Sequence, residues 1–160
     1  MADFYGHYHN SLDPKGRLAI PIKLRNALPE GQRNQLYITR GIEKCITGYS
    51  YKEYQRFLKQ LDQLQINEKV KRKLKREFIG RTFETVFDKQ GRITLPQELL
   101  KFAQLDGTSE AIVLGSGNVM EIWNAELYQA ESEEIEDVIQ SIMGEARLDT
   151  SEHTPDSDEL

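Results

Sequence analysis

One twelve-residue pattern occurs twice in the chain, and it constrains the fold more than any other feature. Asn10-Ser11-Leu12-Asp13-Pro14-Lys15-Gly16-Arg17-Leu18-Ala19-Ile20-Pro21 aligns with Thr85-Val86-Phe87-Asp88-Lys89-Gln90-Gly91-Arg92-Ile93-Thr94-Leu95-Pro96, 75 residues later. The shared order is apolar, Asp, two variable residues, Gly, Arg, apolar, small, apolar, Pro. Similarity continues from Leu24 and Ala27-Leu28 to Leu99 and Phe102-Ala103, and from Leu36-Tyr37-Ile38 to Ala111-Ile112-Val113. An internal repeat of this kind means one supersecondary unit used twice.

Each position in the pattern has a physical reading. Asp13 and Asp88 can accept a hydrogen bond from the backbone two residues on, which starts a turn. Gly16 and Gly91 can take the positive φ that such a turn demands. Leu18-Ala19-Ile20 and Ile93-Thr94-Leu95 alternate as a half-buried strand does. Pro21 and Pro96 stop those strands and suit the first turn of a helix, with Leu24/Leu28 and Leu99/Phe102 facing inward. Two more strands are expected in the first copy, at 35–39 and 45–49, joined through residues 40–44. Their counterparts in the second copy lie at 111–114 and 119–123, around Gly115-Ser116-Gly117-Asn118.

A helical hairpin is expected between the repeats. Ser50-Tyr51-Lys52-Glu53 has the spacing of a capping box, and Tyr54, Phe57, Leu58, Leu61 and Leu64 then form one helical stripe. Asn67 suits the cap of a second helix ended by Gly80, with Val70, Leu74 and Phe78 spaced by four. Lys69, Lys71, Arg72, Lys73, Lys75 and Arg76 make this second arm basic. The expected organisation is a first repeat at 5–50, the hairpin at 51–80, a second repeat at 82–125 and a helix at 126–143. That last helix would be capped by Asn124 and striped by Ile135, Val138, Ile139 and Ile142. Residues 144–160, polar and acidic without periodicity, are expected to be a disordered tail.

Charge at first argues against an anionic partner, because the whole chain carries a net charge of -5. The distribution reverses that impression. Residues 1–83 hold 17 Lys and Arg against 8 Asp and Glu; residues 84–160 hold 4 against 18. A basic face that meets an anion is one consequence, and a merely solvated basic surface is the other. The modest hydrophobic fraction, 38%, suggests that a partner copy helps bury the apolar surface. No run approaches the roughly 18 apolar residues of a membrane span, and Met1–Gly6 lacks the regions of a signal peptide. The single Cys45 excludes an internal disulfide framework and suits a reducing cytoplasm.

Enzyme chemistry finds no foothold in the residues. His7 and His9 would share one face of a strand, yet no third ligand is placed by spacing, so a zinc site is not expected. Gly115-Ser116-Gly117 lacks the rest of a phosphate-binding loop. Cys45, in an expected strand, reads as packing. No cofactor or metal is expected.

An Asp-x-x-Gly-Arg turn, a strand ending in Pro and a short helix together resemble the AbrB-type swapped-hairpin DNA-binding element. Two such elements joined by a basic helical pair, with Leu-Gly-x-Gly at 114–117 and Glu121-Ile122-Trp123, are similar to the MraZ family over roughly residues 1–143. The resemblance implies an α+β fold in which two swapped-hairpin β-α-β repeats form an intrachain pseudo-dimeric β-barrel. It implies a homo-oligomeric ring, associated with the nucleoid, whose turns face double-stranded promoter DNA. The DNA would carry short direct repeats at the head of the family's own division and cell-wall cluster. The residues that match the DNA-contacting motif are Lys15, Gly16 and Arg17, and in the second copy Lys89, Gly91 and Arg92, with Gln90 beside them. Many members have Arg where this chain has Leu100; Arg25 keeps it in the first copy.

Arg at the lip of a tight Gly turn can reach the major groove, where its fork fits guanine O6 and N7. Lys15 would meet phosphate. Because Arg17 lies in the basic half and Arg92 in the acidic half, Arg17 is expected to contribute more to DNA affinity. The residues alone leave other readings open. The turns could be plain hairpins with solvated arginines. The basic arm could meet DNA or the acidic surface of a neighbouring subunit. An AbrB-type antitoxin, or a ring scaffold that binds protein through its acidic helix, would use the same elements.

Overall fold

The computed structural model describes residues 3–151. It divides into two units at Ala125. The first unit holds β1 (His7–Ser11), β2 (Arg17–Ala19), α1 (Ile22–Asn26), β3 (Gln35–Arg40) and β4 (Ile46–Tyr49). It continues through α2 (Tyr51–Asp62), α3 (Glu68–Phe78), β5 (Phe83–Val86), β6 (Arg92–Thr94), α4 (Gln97–Phe102), β7 (Glu110–Gly115) and β8 (Met120–Trp123). The second unit is helical, with α5 (Ala125–Glu134) leading into it and α6 (Glu136–Ser151) within it. Among the described residues no helix is long and apolar enough to cross a membrane.

The strands pair across the repeats. One antiparallel sheet runs β1-β7-β8-β4-β3-β5, and a second consists of β2 and β6 alone. The first strand of each repeat thus lies beside the third strand of the other: His7 opposite Leu114 in β1–β7, and Gln35 opposite Val86 in β3–β5. Exchanging the repeats maps this strand order onto itself. The axis of that pseudo-symmetry passes through the pair Leu18–Ile93 at the centre of β2–β6.

Among the described residues the strands form these two sheets, and no closed barrel is seen. β2 and β6 are three residues long and run directly into Ile20-Pro21 and Leu95-Pro96. Proline has no N–H to extend a ladder, so neither strand continues far enough to join the larger sheet. Among the described residues a bridge from Leu12 to Leu18 links the two sheets, and β1 and β5 are edge strands.

The core repeats as the sequence does. Leu18, Ile20, Leu24, Leu28, Leu36 and Ile38 and their counterparts Ile93, Leu95, Leu99, Ala103, Ala111 and Val113 belong to one buried cluster. Apolar burial at about 25 cal/mol per Å² makes this cluster the main source of cohesion between the repeats.

Ser50 Oγ accepts the Glu53 N–H at 3.2 Å to start α2, and Asn67 Oδ1 accepts the Lys69 N–H at 2.8 Å to start α3. Aromatic side chains fasten this hairpin to the sheet: Tyr54 stacks on Tyr37 at 5.1 Å, Phe57 on Tyr49 at 5.2 Å, and Phe78 meets Phe57 at 5.7 Å. The stripe expected to reach Leu64 ends sooner, because α2 stops at Asp62 and Leu64 is exposed. Arg40 ties three parts together. Its Nη1 lies 2.9 Å from Glu77, and its guanidinium lies over the rings of Phe78 and Phe102.

The helix expected at 126–143 is two helices with a break at Ile135. Glu133 with Glu136, and Glu134 with Asp137, are like charges three apart, which disfavour a continuous turn there. α6 also runs past Gly144 to Ser151, over a stretch containing the strong helix formers Glu145, Ala146 and Leu148. That part of the expected tail is helical, and residues 152–160 lie outside the described residues. Ile135, Val138, Ile139 and Ile142 are all exposed.

Candidate nucleic-acid interface

The two Asp-x-x-Gly-Arg turns share one geometry, atom for atom. In the first, the Lys15 and Arg17 N–H groups donate to Asp13 Oδ1 at 3.0 and 2.8 Å, and Arg17 Nε donates to Asp13 Oδ2 at 2.6 Å. In the second, the Gln90 and Arg92 N–H groups donate to Asp88 Oδ1 at 2.9 and 2.9 Å, and Arg92 Nε donates to Asp88 Oδ2 at 2.9 Å. Each aspartate therefore shapes the turn with one oxygen and orients the guanidinium with the other. The bond through Nε leaves the Nη edge of each arginine pointing away from its own carboxylate.

This arrangement holds both carboxyls below their ordinary range. The principal cause is the hydrogen bond from the backbone N–H of the turn arginine, Arg17 for Asp13 and Arg92 for Asp88, followed by that arginine's side chain. A carboxylate with a lowered folded-state pKa stabilises the fold above its unfolded pKa of about 3.9, and that stabilisation disappears as pH falls through the lowered value. Acidification below about pH 4 is expected to loosen both turns. Measuring unfolding free energy against pH checks this: Asp13→Asn with Asp88→Asn should flatten the acid limb. An unchanged limb would contradict the assignment.

Gly16 and Gly91 adopt φ of +82° and +75°. Each turn is also locked by the opposite repeat. The Leu95 N–H donates to the Gly16 carbonyl at 2.7 Å, and the Ile20 N–H donates to the Gly91 carbonyl at 3.0 Å. A Cβ on Gly16 would sit 2.8 Å from the Leu95 carbonyl oxygen, which cannot move. A Cβ on Gly91 would first meet the Arg25 guanidinium, a side-chain end that can be displaced as backbone cannot. Left-handed backbone costs about 1–2 kcal/mol for a residue with a Cβ, and backbone overlap adds to it. Gly16→Ala is therefore expected to destabilise by about 2–3 kcal/mol and Gly91→Ala by about 1–2 kcal/mol, read from denaturant midpoints. The reverse order would mean that Leu95 does not confine the first turn.

The antiparallel β2–β6 ladder sets one turn at each of its ends. Arg17 lies opposite Thr94 and Ala19 opposite Arg92, so these four share the outward face, while Leu18 and Ile93 point into the core. Arg92 Nη1 is 3.9 Å from Asp13 Oδ2, an ion pair from one turn to the other. Lys15, Gly16 and Arg17 thus flank one end of the ladder and Lys89, Gly91 and Arg92 the other, with the Arg92 side chain reaching back across the face to Asp13. Lys15 and Lys89 are exposed, Arg17 and Arg92 half-buried, and both glycines buried. Arg17 and Arg92 therefore lie on one face of the ladder, although they come from halves of the chain with opposite net charge.

Three members of the site were not read from the sequence as such. Asp13 and Asp88 orient the arginines, which their i, i+4 spacing from Arg17 and Arg92 could have signalled. Arg25 of the first repeat lies against Gly91 of the second, and no local pattern announces that contact. The basic arm is partly self-neutralised: Lys71 Nζ donates to the Asp62 carbonyl at 2.7 Å, and Lys75 Nζ meets the Asp62 carboxylate at 2.9 Å. Lys69, Arg72, Lys73 and Arg76 form no ion pair among the described residues. His9 Nδ1 lies 3.0 Å from Glu110, and Cys45 is buried.

A family model described as "MraZ protein, putative antitoxin-like" matches the sequence twice, over residues 4–77 and 78–150. The boundary between the two matches falls at the C-terminal end of α3, ahead of the second repeat. With two matches that together span nearly all of its length, the chain belongs to the MraZ family.

Proposed function

We propose that the protein is a sequence-specific DNA-binding transcriptional regulator, acting as a repressor of its own division and cell-wall operon. In this reading it assembles as a ring on the nucleoid, in the cytoplasm, and its arginine-bearing turns read short direct repeats in promoter DNA. One observation carries the reading: two carboxylate-oriented arginine turns of matching geometry flank the two-stranded ladder and present Arg17 and Arg92 on its one outward face. Arg17 and Arg92 would meet guanine edges in the major groove, while Lys15 and Lys89 would meet phosphate. Gly16 and Gly91 would let the backbone approach. A ring presents many such turns, and effective concentration converts weak single contacts into useful affinity. The chemistry needs no cofactor, metal or catalytic group.

A gel shift with the fragment upstream of the gene tests this, alongside the size of the protein in solution with and without that DNA. Retarded, ring-sized complexes are expected. A monomer in both states removes the multivalent mechanism, and failure to bind repeat-containing DNA at low salt removes the regulator.

An antitoxin is the second reading, favoured by the wording of the family description and by the exposed apolar residues of α6. A toxin gene directly downstream, and its product co-purifying with the chain, would support it over the operon repressor.

A further inference from the structure

The turns are alike in themselves but not in what lies against them. Arg25 and Leu100 occupy equivalent positions, 75 residues apart. Interleaving of the repeats carries each to the opposite turn. Leu100 is buried and packs against Gly16, within 3.3 Å of where a Cβ would be. Arg25 packs against Gly91, its guanidinium filling the space that a Cβ would need. Arg25 is held there by its Nε, which donates to the Ile20 carbonyl at 3.1 Å, with its guanidinium carbon 6.0 Å from the centre of the Phe87 ring. It is half-exposed, and among the described residues no carboxylate pairs with it and its Nη groups meet no acceptor.

We propose that Arg25 is a phosphate-contacting residue of the second turn, with no counterpart at the first. The proposal rests on the DNA-binding reading above and adds a residue and a polarity to it. A guanidinium fixed through Nε presents its two Nη groups as a fork, the geometry that suits a phosphate oxygen pair. Its place behind Gly91 puts that fork beside Arg92, so one turn would read a base and grip the adjoining backbone together. At the first turn the same place holds an uncharged side chain, Leu100, bordering a hollow lined also by Asp13, Gly16, Leu105 and Asp106. A protomer with two equivalent turns would sit on its site in either orientation. One turn with a backbone grip and one without gives the protomer a direction on DNA, as head-to-tail repeats require.

The test is the salt dependence of binding by the full-length protein. The probes are the upstream fragment and an unrelated duplex of equal length, and the proteins are wild type, Arg25→Ala, Arg25→Lys and Leu100→Arg. Each phosphate contact contributes about 0.9 to the slope of log affinity against log salt. Arg25→Ala is expected to lower the slope by about 0.9 per bound protomer. It should also weaken binding roughly tenfold at about 0.1 M salt, on both duplexes alike. Arg25→Lys keeps the charge and should retain most of the slope. A role confined to holding the turn would make it behave as Arg25→Ala. Leu100→Arg should raise the slope, which no loss of folding can imitate. An unchanged slope in both Arg25→Ala and Leu100→Arg, with wild type bound, overturns the assignment of Arg25 and leaves the DNA reading intact. A loss confined to the upstream fragment overturns it too, because phosphate contacts are blind to sequence. Absence of binding by wild type on either duplex overturns both.

Discussion

Leu18→Ala is expected to remove about 3–5 kcal/mol of folding free energy. Leu18 is fully buried, lies at the centre of the pseudo-symmetric ladder and faces Ile93, itself 1% exposed. Its neighbours come from both repeats, and the backbone on either side is held by turn and proline, so the cavity cannot collapse easily. Against a total stability of roughly 5–15 kcal/mol for a domain, the loss is large. Denaturant unfolding at fixed protomer concentration checks it, because association would otherwise contribute to the measured value. Ile93→Ala should behave alike, and the double variant should fall short of additivity since the two side chains share one site. Val86→Ala, at a 63% exposed position on an edge strand, supplies the control and should stay within about 0.5 kcal/mol of wild type. A Leu18→Ala midpoint near that control would mean that the ladder is not the keystone of the fold. Because the same ladder carries Arg17 and Arg92 on its other face, the variant should also lose order at the turns before it unfolds.

What could be read from the sequence divides along a physical line. The turns are local: Asp13 and Asp88 accept from the backbone two residues on, and Gly16 and Gly91 take positive φ, so composition at fixed spacing reveals them. Helix starts are local too, and Ser50 and Asn67 cap as their types dictate. Pairing of strands is not local. Period-two alternation says that Leu18 and Ile20 face inward, but nothing in it says that β1 lies beside β7, or that Arg25 comes to rest on Gly91. The open sheets follow from the same limit, since whether three-residue strands suffice to close a barrel depends on where their neighbours end. The break at Ile135 reflects like charges competing with an apolar stripe, a balance that periodicity alone does not weigh.

Replacing both turn arginines, Arg17→Ala with Arg92→Ala, is expected to weaken binding to repeat-bearing promoter DNA by roughly 30-fold or more. Each arginine–guanine pair is worth about 1–3 kcal/mol, and a ring multiplies the loss over its turns. Binding to an unrelated duplex should change far less, because base contacts carry sequence preference while phosphate contacts carry general affinity. The single variants should differ, with Arg17→Ala the more costly. Arg17 has 37% of its side chain exposed and one carboxylate partner; Arg92 has 27% exposed and is drawn towards both Asp88 and Asp13. To enter a groove, Arg92 gives up its contact with Asp13, and Arg17 gives up nothing of the kind. Arg25, if it grips phosphate beside Gly91, would also keep the second turn anchored after Arg92 is lost, which narrows the cost of that variant further. The asymmetry therefore comes from the carboxylates and cation around each turn, not from the charge of the surrounding sequence. Competition gel shifts on folded variants decide the matter. Equal losses from the two singles would refute the asymmetry, and retention of specific binding by the double variant would move the reading head of the protein away from these turns altogether.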